Sequence, residues 1–322
     1  TYLRIYFIGM TSMMVYNFGS AILRAVGDTK RPLYYLSAAG VINIGLNLLF
    51  VIVFRMSVAG VALATVISET ISASLVIRCM MKEKGSIRLT PSKLRIHPKR
   101  FAEILRIGLP ASLQGVIFAI SNVIIQSSVN SFGSTVVAGN SAASNIEGFV
   151  YVSMNSFYQG TISFTSQNVG AGKYERVNKI LFTAQACVIV TGLVLGNLAV
   201  FFGPDLLGFY TRSAAVKAAG MNRLKIICTV YALCGIMDVM VGSLRGLGYS
   251  VMPTIVSLIG ACGLRLLWIF TFFRINEQFH TPQSLYLTYP VSWIITICAH
   301  VVCFVIVRRR ISRRLKTQSM AQ

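Results

Sequence analysis

The fold of this chain is decided by a short stretch that occurs twice. RAVGDTKRP at residues 24–32 returns, 221 positions later, as RGLGYSVMP at residues 245–253. At the same offset, LRI at residues 3–5 aligns with LKI at residues 224–226, and Asn17 aligns with Asp238. A motif that recurs within a similar helical context indicates an internal repeat. The chain is therefore predicted to contain two related lobes.

The composition is that of a membrane protein with many crossings. Hydrophobic residues make up 55% of the 322 positions and charged residues only 12%. Apolar runs of about 20 residues match the thickness of one bilayer. Because the backbone finds no water in hydrocarbon, and because the runs lack strand-like alternation, we predict an all-α bundle. Nine spans are expected, at residues 2–23, 33–54, 58–80, 107–132, 145–167, 180–202, 226–244, 254–273 and 286–307.

The net charge of +21 reports the orientation of these spans. Basic residues concentrate in the connections after every second span, at residues 24–31, 78–106, 173–179 and 308–316. This asymmetry follows the positive-inside rule and places those connections in the cytoplasm. A nucleic-acid role is disfavoured, because surface aromatics do not interleave the basic residues.

The positions of the two motif copies predict the lobe arrangement. The first copy ends the first span and the second ends the seventh, so an even number of crossings separates them and the lobes are parallel repeats. The second lobe has four spans up to its motif, whereas the first has one. We therefore expect nine helices of a twelve-helix protein, with about three N-terminal helices absent from this sequence. The predicted parts are half of the first lobe (1–81), a basic interlobe linker (82–106), the second lobe (107–307) and a basic tail (308–322).

The motif itself predicts tight turns between helices. Gly27, Gly246 and Gly248 permit sharp backbone turns at helix ends, and a proline follows in the first turn of the next helix. Arg24 and Arg245 are expected to anchor at headgroups or to bond terminal carbonyls.

The sequence contains no motif typical of a nucleotide-binding site or a metal site. GAGK at residues 170–173 is not a phosphate-binding loop, because Gln167 and Tyr174 stand where such a loop needs Gly and Ser or Thr. The seven cysteines show no CxxC spacing, and the three histidines are scattered, so neither a zinc site nor a disulfide framework is predicted. We expect no cofactor.

Three acids lie within predicted spans, where a charge costs about 2.5–3.5 kcal/mol on insertion scales. Asp238 is either a cavity-facing group that exchanges a proton or sodium, or a buried acid bonded to a neighbouring helix. Glu147 heads a polar face with Tyr151, Asn155 and Tyr158, which suits organic cations or else helix contacts. Glu69 is assigned to helix packing.

The sequence resembles the multidrug and toxic compound extrusion (MATE) transporters. The resemblance rests on LRAVGDTKRP at residues 23–32, LRGLGYS at 244–250, IGLP at 107–110 and SQNVGAGK at 166–173. It implies twelve helices in two lobes, of which this chain corresponds to the fourth to the twelfth. Many members carry acids on the seventh and tenth helices. Here the corresponding positions offer Gln114, Asn122, Gln126 and Cys234 instead.

On this reading the function is secondary multidrug export. Cationic or amphipathic organic compounds would leave by alternating access in exchange for protons or sodium, with Asn17, Gln126, Glu147 and Asp238 at the cavity. The protein is expected to be a monomer in the cell membrane with no nucleic-acid partner. A lipid-linked oligosaccharide flippase should have a basic cavity, and only Arg265 is predicted to lie deep in a span. An inactive fragment is a further alternative, and missing catalytic clusters disfavour an enzyme.

Overall fold

The computed structural model describes residues 2–85 and 87–320, and this described part is helical with no β-strand. The chain divides into two compact units, Thr1–Ile96 and His97–Gln322. The predicted all-α class is confirmed, and the protein is a multi-pass membrane protein.

The first unit contains three long helices. They are α1 (Tyr2–Ala25), α2 (Lys30–Val53) and α3 (Ser57–Lys82). Two glycines allow α1 to approach α3 closely. A Cβ added to Gly9 would lie 2.6 Å from a methyl carbon of Val66, and one added to Gly19 would lie 2.3 Å from a methyl carbon of Val76. Small residues at such contacts let membrane helices approach closely, so that van der Waals packing holds them together.

The second unit contains the larger bundle. Its helices are α4 (Pro98–Asn130), α5 (Ser134–Gly170), α6 (Arg176–Phe201), α7 (Gly203–Gly208), α8 (Ala214–Ile227), α9 (Ala232–Gly246), α10 (Val251–Phe273) and α11 (Pro282–Met320). The chain bends by 48° between α8 and α9, at a short turn around Cys228–Val230. The predicted span 226–244 covers most of α9 but only the last two residues of α8, so the sequence prediction missed the first half of this bent pair.

The number of apolar spans in the described residues is seven, or eight if the bent α8–α9 pair is one span. The remaining predicted span, 145–167, falls within α5. This helix is 37 residues long but carries Asn, Ser, Thr and Glu along its length, so it does not reach the same hydropathy. Polar side chains on a long helix in such a bundle belong on a protein-facing or water-facing side.

Several helices run further than their apolar runs. α4 begins at Pro98, nine residues before the expected start, and α11 continues to Met320 through the expected tail. Hydropathy marks only the part of a helix that fits in lipid, and basic residues such as Lys and Arg are good helix formers in water.

The two copies of the repeated motif end their helices with the same hydrogen bonds. In the first, the amide N–H of Gly27 donates to Arg24 and that of Asp28 donates to Leu23, both at 3.0 Å. In the second, the corresponding N–H groups donate to the carbonyls of Arg245 and Leu244, at 2.9 and 3.0 Å. This is a Schellman cap, whose left-handed residue is glycine in both copies.

Gly27 and Gly248 supply these caps, with φ of +90° and +86°. The prediction that Gly246 also serves a turn is wrong. Gly246 is helical, and a Cβ there would lie 2.6 Å from the Cβ of Thr165 on α5. Its role is close packing of α9 against α5.

Candidate functional site

The second unit encloses a cavity of about 690 Å³ between its helices. This volume is within the range of sites that hold drug-sized molecules. Five charged side chains line it, namely Glu147, Arg223, Asp238, Arg245 and Arg265. Five aromatic side chains also line it, namely Phe118, Tyr151, Tyr231, Tyr289 and Trp293. The cavity wall therefore combines aromatic surface with two acidic and three basic side chains.

Glu147 on α5 is bound in a two-pronged ion pair to Arg223 on α8. Nε of Arg223 donates to one carboxylate oxygen at 2.7 Å, and Nη2 donates to the other at 2.8 Å. Both side chains are 8% exposed. A planar guanidinium matches a carboxylate in this geometry, so the two charges neutralise each other inside the bundle.

The ion pair continues into a chain of amide hydrogen bonds. Nη1 of Arg223 donates to Oδ1 of Asn140 at 2.7 Å, and Nδ2 of Asn140 donates to Oε1 of Gln126 at 2.9 Å. Nε2 of Gln126 donates in turn to Asn130 at 3.1 Å. This network fixes α4, α5 and α8 to one another at the cavity wall.

Asp238 on α9 is the remaining carboxylate of the cavity. It is partly exposed, and its side chain makes no hydrogen bond or ion pair with the residues that the structure describes. Most of its neighbours on α9 are buried and apolar. Asp238 is thus an acid held at a cavity surface without a fixed partner.

Arg245 lies seven residues beyond Asp238 on α9, about 10 Å along the helix axis at 1.5 Å per residue. Its Nη2 donates to Gln114 at 2.8 Å and to Thr254 at 3.3 Å, and its Nη1 donates to the hydroxyl of Tyr158. The prediction that Arg245 reaches headgroups or terminal carbonyls is wrong. Helical side chains lean toward the N-terminus of their helix, which here carries the guanidinium back into the bundle.

Arg265 on α10 is buried, with 5% of its surface exposed. Its Nε donates to the hydroxyl of Ser292 at 2.8 Å. The guanidinium carbon lies 4.1 Å from the ring centre of Tyr289 and 5.8 Å from that of Trp293. Within the described part of the chain, no carboxylate forms an ion pair with Arg265 or with Arg245.

The residues predicted for the site are placed as follows. Four of them, Gln126, Glu147, Tyr151 and Asp238, line this one cavity. The amide of Asn155 donates to the hydroxyl of Tyr151 at 3.4 Å, and Tyr158 accepts from Arg245, so each contacts a lining residue without lining the cavity itself. Asn17 belongs to the first unit and is exposed there on α1.

The prediction that only Arg265 lies deep in a span is wrong, because Arg223 is equally buried, with 6% of its surface exposed. Its span was expected to start at residue 226, three residues later, but α8 begins at Ala214. The sequence signal for Arg223 is weak. Its partner Glu147 is 76 positions away, and only the packing of α5 against α8 joins them.

In the described residues, no group of three or more His, Cys, Asp and Glu side chains is placed to hold a metal ion. A cation at Asp238 would take its other ligands from neutral oxygens or water.

Comparison with known proteins identifies related sequences on both sides of the interlobe segment. The MatE family model matches residues 110–271, and the model of the lipid II flippase MurJ matches residues 1–137. The probable multidrug resistance protein YpnP of Bacillus subtilis is 32% identical over 267 residues, 82% of this chain and 59% of that protein. The FAD transporter of Shewanella oneidensis is 22% identical over 277 residues, 83% of this chain and 60% of that protein.

Solved structures share the fold. An outward-facing multidrug resistance MATE family transporter of the MOP superfamily aligns with a TM-score of 0.85 at 21% identity, over 97% of this chain and 69% of that one. The chain spans about six tenths of the length of the curated relatives it matches.

Proposed function

The chain belongs to the MatE family, and we propose that the protein is a secondary exporter of amphipathic organic compounds that binds its coupling ion at Asp238. Names among its relatives range from multidrug resistance protein to FAD transporter, so similarity supports transport of small organic compounds more strongly than any one substrate. The aromatic and charged cavity of the second unit is the proposed binding site.

The observation that carries the proposal is the state of Asp238. It is a carboxylate within a predicted span, it lines a cavity, and it has no fixed partner among the described residues. Ionisable groups in such positions are typical of ion and proton pathways. Glu147 is less suited to this task, since releasing it would leave Arg223 buried without a counter-charge.

The coupling ion is proposed to be a proton or sodium. A proton needs only the carboxylate itself. Sodium would need further oxygen ligands, which the polar side chains of α4 and α5 and water in the cavity could supply.

Transport in proteoliposomes that contain the full-length protein tests the proposal. Efflux of a dye would be driven by an imposed proton or sodium gradient, and Asp238→Asn would be compared with Asp205→Asn. Asp205 is an exposed acid in the first turn of α7, so its substitution removes the same charge outside the cavity. We expect Asp238→Asn to abolish the response to the gradient and Asp205→Asn to retain it. Normal gradient-driven efflux by Asp238→Asn would contradict the proposal.

A lipid-linked flippase is a second candidate, and two observations favour it. The lipid II flippase model matches residues 1–137, and three arginines line the cavity, where the sequence alone suggested one. A labelled polyprenyl pyrophosphate in the same liposomes separates the candidates. Its protein-dependent movement between leaflets, without movement of soluble dyes, would favour the flippase.

A further inference from the structure

Among the residues that the structure describes, the charges of the cavity do not balance, and the excess is positive. Glu147 and Arg223 neutralise each other through two hydrogen bonds between their charged groups. The remaining charges are one carboxylate, Asp238, and two guanidiniums, Arg245 and Arg265. A buried cation without a partner is costly in a membrane protein, so its presence calls for a function.

Arg265 is the more informative of the two cations. Neutral oxygens satisfy both terminal nitrogens of Arg245, from Gln114, Thr254 and Tyr158. Arg265 instead uses only Nε, toward Ser292. Its two terminal nitrogens make no hydrogen bond with the described residues, although the residue is 95% buried and lines the cavity. These two nitrogens form one of the guanidinium edges that can bind a carboxylate or phosphate with two hydrogen bonds.

The surroundings hold this edge in place. Tyr289 lies under the guanidinium at 4.1 Å, and Trp293 flanks it at 5.8 Å. The hydrogen bond from Nε to Ser292 fixes one side of the guanidinium, so the two terminal nitrogens have a defined position. Aromatic rings beside a cation favour a ligand that has both an apolar body and an acidic group.

We propose that the cavity binds amphipathic organic acids, with the carboxylate or phosphate of the ligand on Arg265 and its aromatic body against Tyr289 and Trp293. This inference rests on the proposed function, because it names the substrate class of the same cavity. The sequence expectation was of cationic or amphipathic substrates, and it took no account of Arg223 and Arg245 in the cavity wall.

Two dyes with the same ring system but opposite charge test whether the cavity prefers anionic or cationic ligands. Fluorescein carries negative charge, and rhodamine 123 carries positive charge on a similar xanthene body. Their binding to the purified full-length protein would be measured by fluorescence polarisation in phosphatidylcholine nanodiscs. We expect fluorescein to bind at least tenfold more tightly than rhodamine 123. Preference for rhodamine 123 would overturn the inference.

Substitution of Arg265 assigns the preference to one residue. Arg265→Gln should weaken fluorescein binding about tenfold or more, the effect of losing a charge-assisted hydrogen bond, without weakening rhodamine 123 binding. Arg274→Gln removes the same charge from an exposed position just after α10 and should change the binding of neither dye. Arg265→Lys keeps the charge and is expected to fall between wild type and Arg265→Gln. Fluorescein binding by Arg265→Gln as tight as that of the wild type would overturn the inference.

Two further outcomes separate this inference from its premise. If rhodamine 123 is exported in a gradient-dependent way and fluorescein is neither bound nor exported, the proposed function stands and the acid site is refuted. If fluorescein binds in phosphatidylcholine but phosphatidylglycerol displaces it, the acid site stands, and its occupant is the headgroup of an anionic lipid.

Discussion

Glu147→Gln is the change that best separates a structural acid from a functional one. The substitution keeps the shape of the side chain but removes the charge that faces Arg223. Because both partners are 8% exposed, water does not replace the lost carboxylate, and Arg223 is left as a buried cation. Breaking a buried pair on one side costs about 3–5 kcal/mol. The insertion cost of an unpaired charge, about 2.5–3.5 kcal/mol, is of the same size.

The measurement is the free energy of unfolding by detergent titration, with Glu175→Gln as the control. Glu175 is exposed just before α6, so its loss should change the free energy by less than about 0.5 kcal/mol. We expect Glu147→Gln to lose about 3 kcal/mol or more. The double variant Glu147→Leu with Arg223→Met should recover most of that loss, because it removes both charges together. If Glu147→Gln has the same free energy of unfolding as the control, the ion pair does not stabilise the fold. Glu147 would then be a candidate for ion coupling.

Three other predictions follow from single positions. Gly196→Ala places a Cβ 2.2 Å from the carbonyl oxygen of Cys228, so it should lower the free energy of unfolding by more than about 1 kcal/mol in the same detergent titration. Its control is Gly148→Ala, whose Cβ meets no atom within 4 Å and which should be neutral or stabilising. Gly248→Ala should cost about 1–2 kcal/mol in that titration through backbone strain alone, since its φ is +86° and its Cβ would lie in open space. Asp238→Asn should tighten fluorescein binding and weaken rhodamine 123 binding in the polarisation assay, because it removes a negative charge from the cavity; a shift of both dyes in the same direction would contradict this.

The sequence was sufficient for the features that are local or periodic. Apolar runs, basic connections and the repeated motif depend on neighbouring residues or on one fixed offset, and the two Schellman caps at Gly27 and Gly248 are direct consequences of that motif. Asp238 could be singled out because an acid in an apolar run is conspicuous wherever the helix is packed.

The charge balance of the cavity could not be predicted in the same way. It depends on which side chains face each other across helices, as Arg223 faces Glu147 from 76 positions away. It also depends on side-chain direction, which brings Arg245 inward from a helix end that resembles a headgroup anchor in sequence. Each such residue changes the net charge of the cavity, which composition alone does not give.

The charge of the substrate also decides what Asp238 can do for transport. A proton on Asp238 would compete with a cationic substrate, but it would strengthen the hold of Arg245 and Arg265 on an acidic one. Exchange by competition therefore requires a substrate with a cationic group at Asp238. Moving one charge through 100 mV is worth about 2.3 kcal/mol, so a plain organic acid leaves a negatively charged cell interior down the membrane potential. A substrate with an acidic group for Arg265 and a cationic group for Asp238 would satisfy both proposals, because its arrival would displace the coupling ion while its acid remained bound.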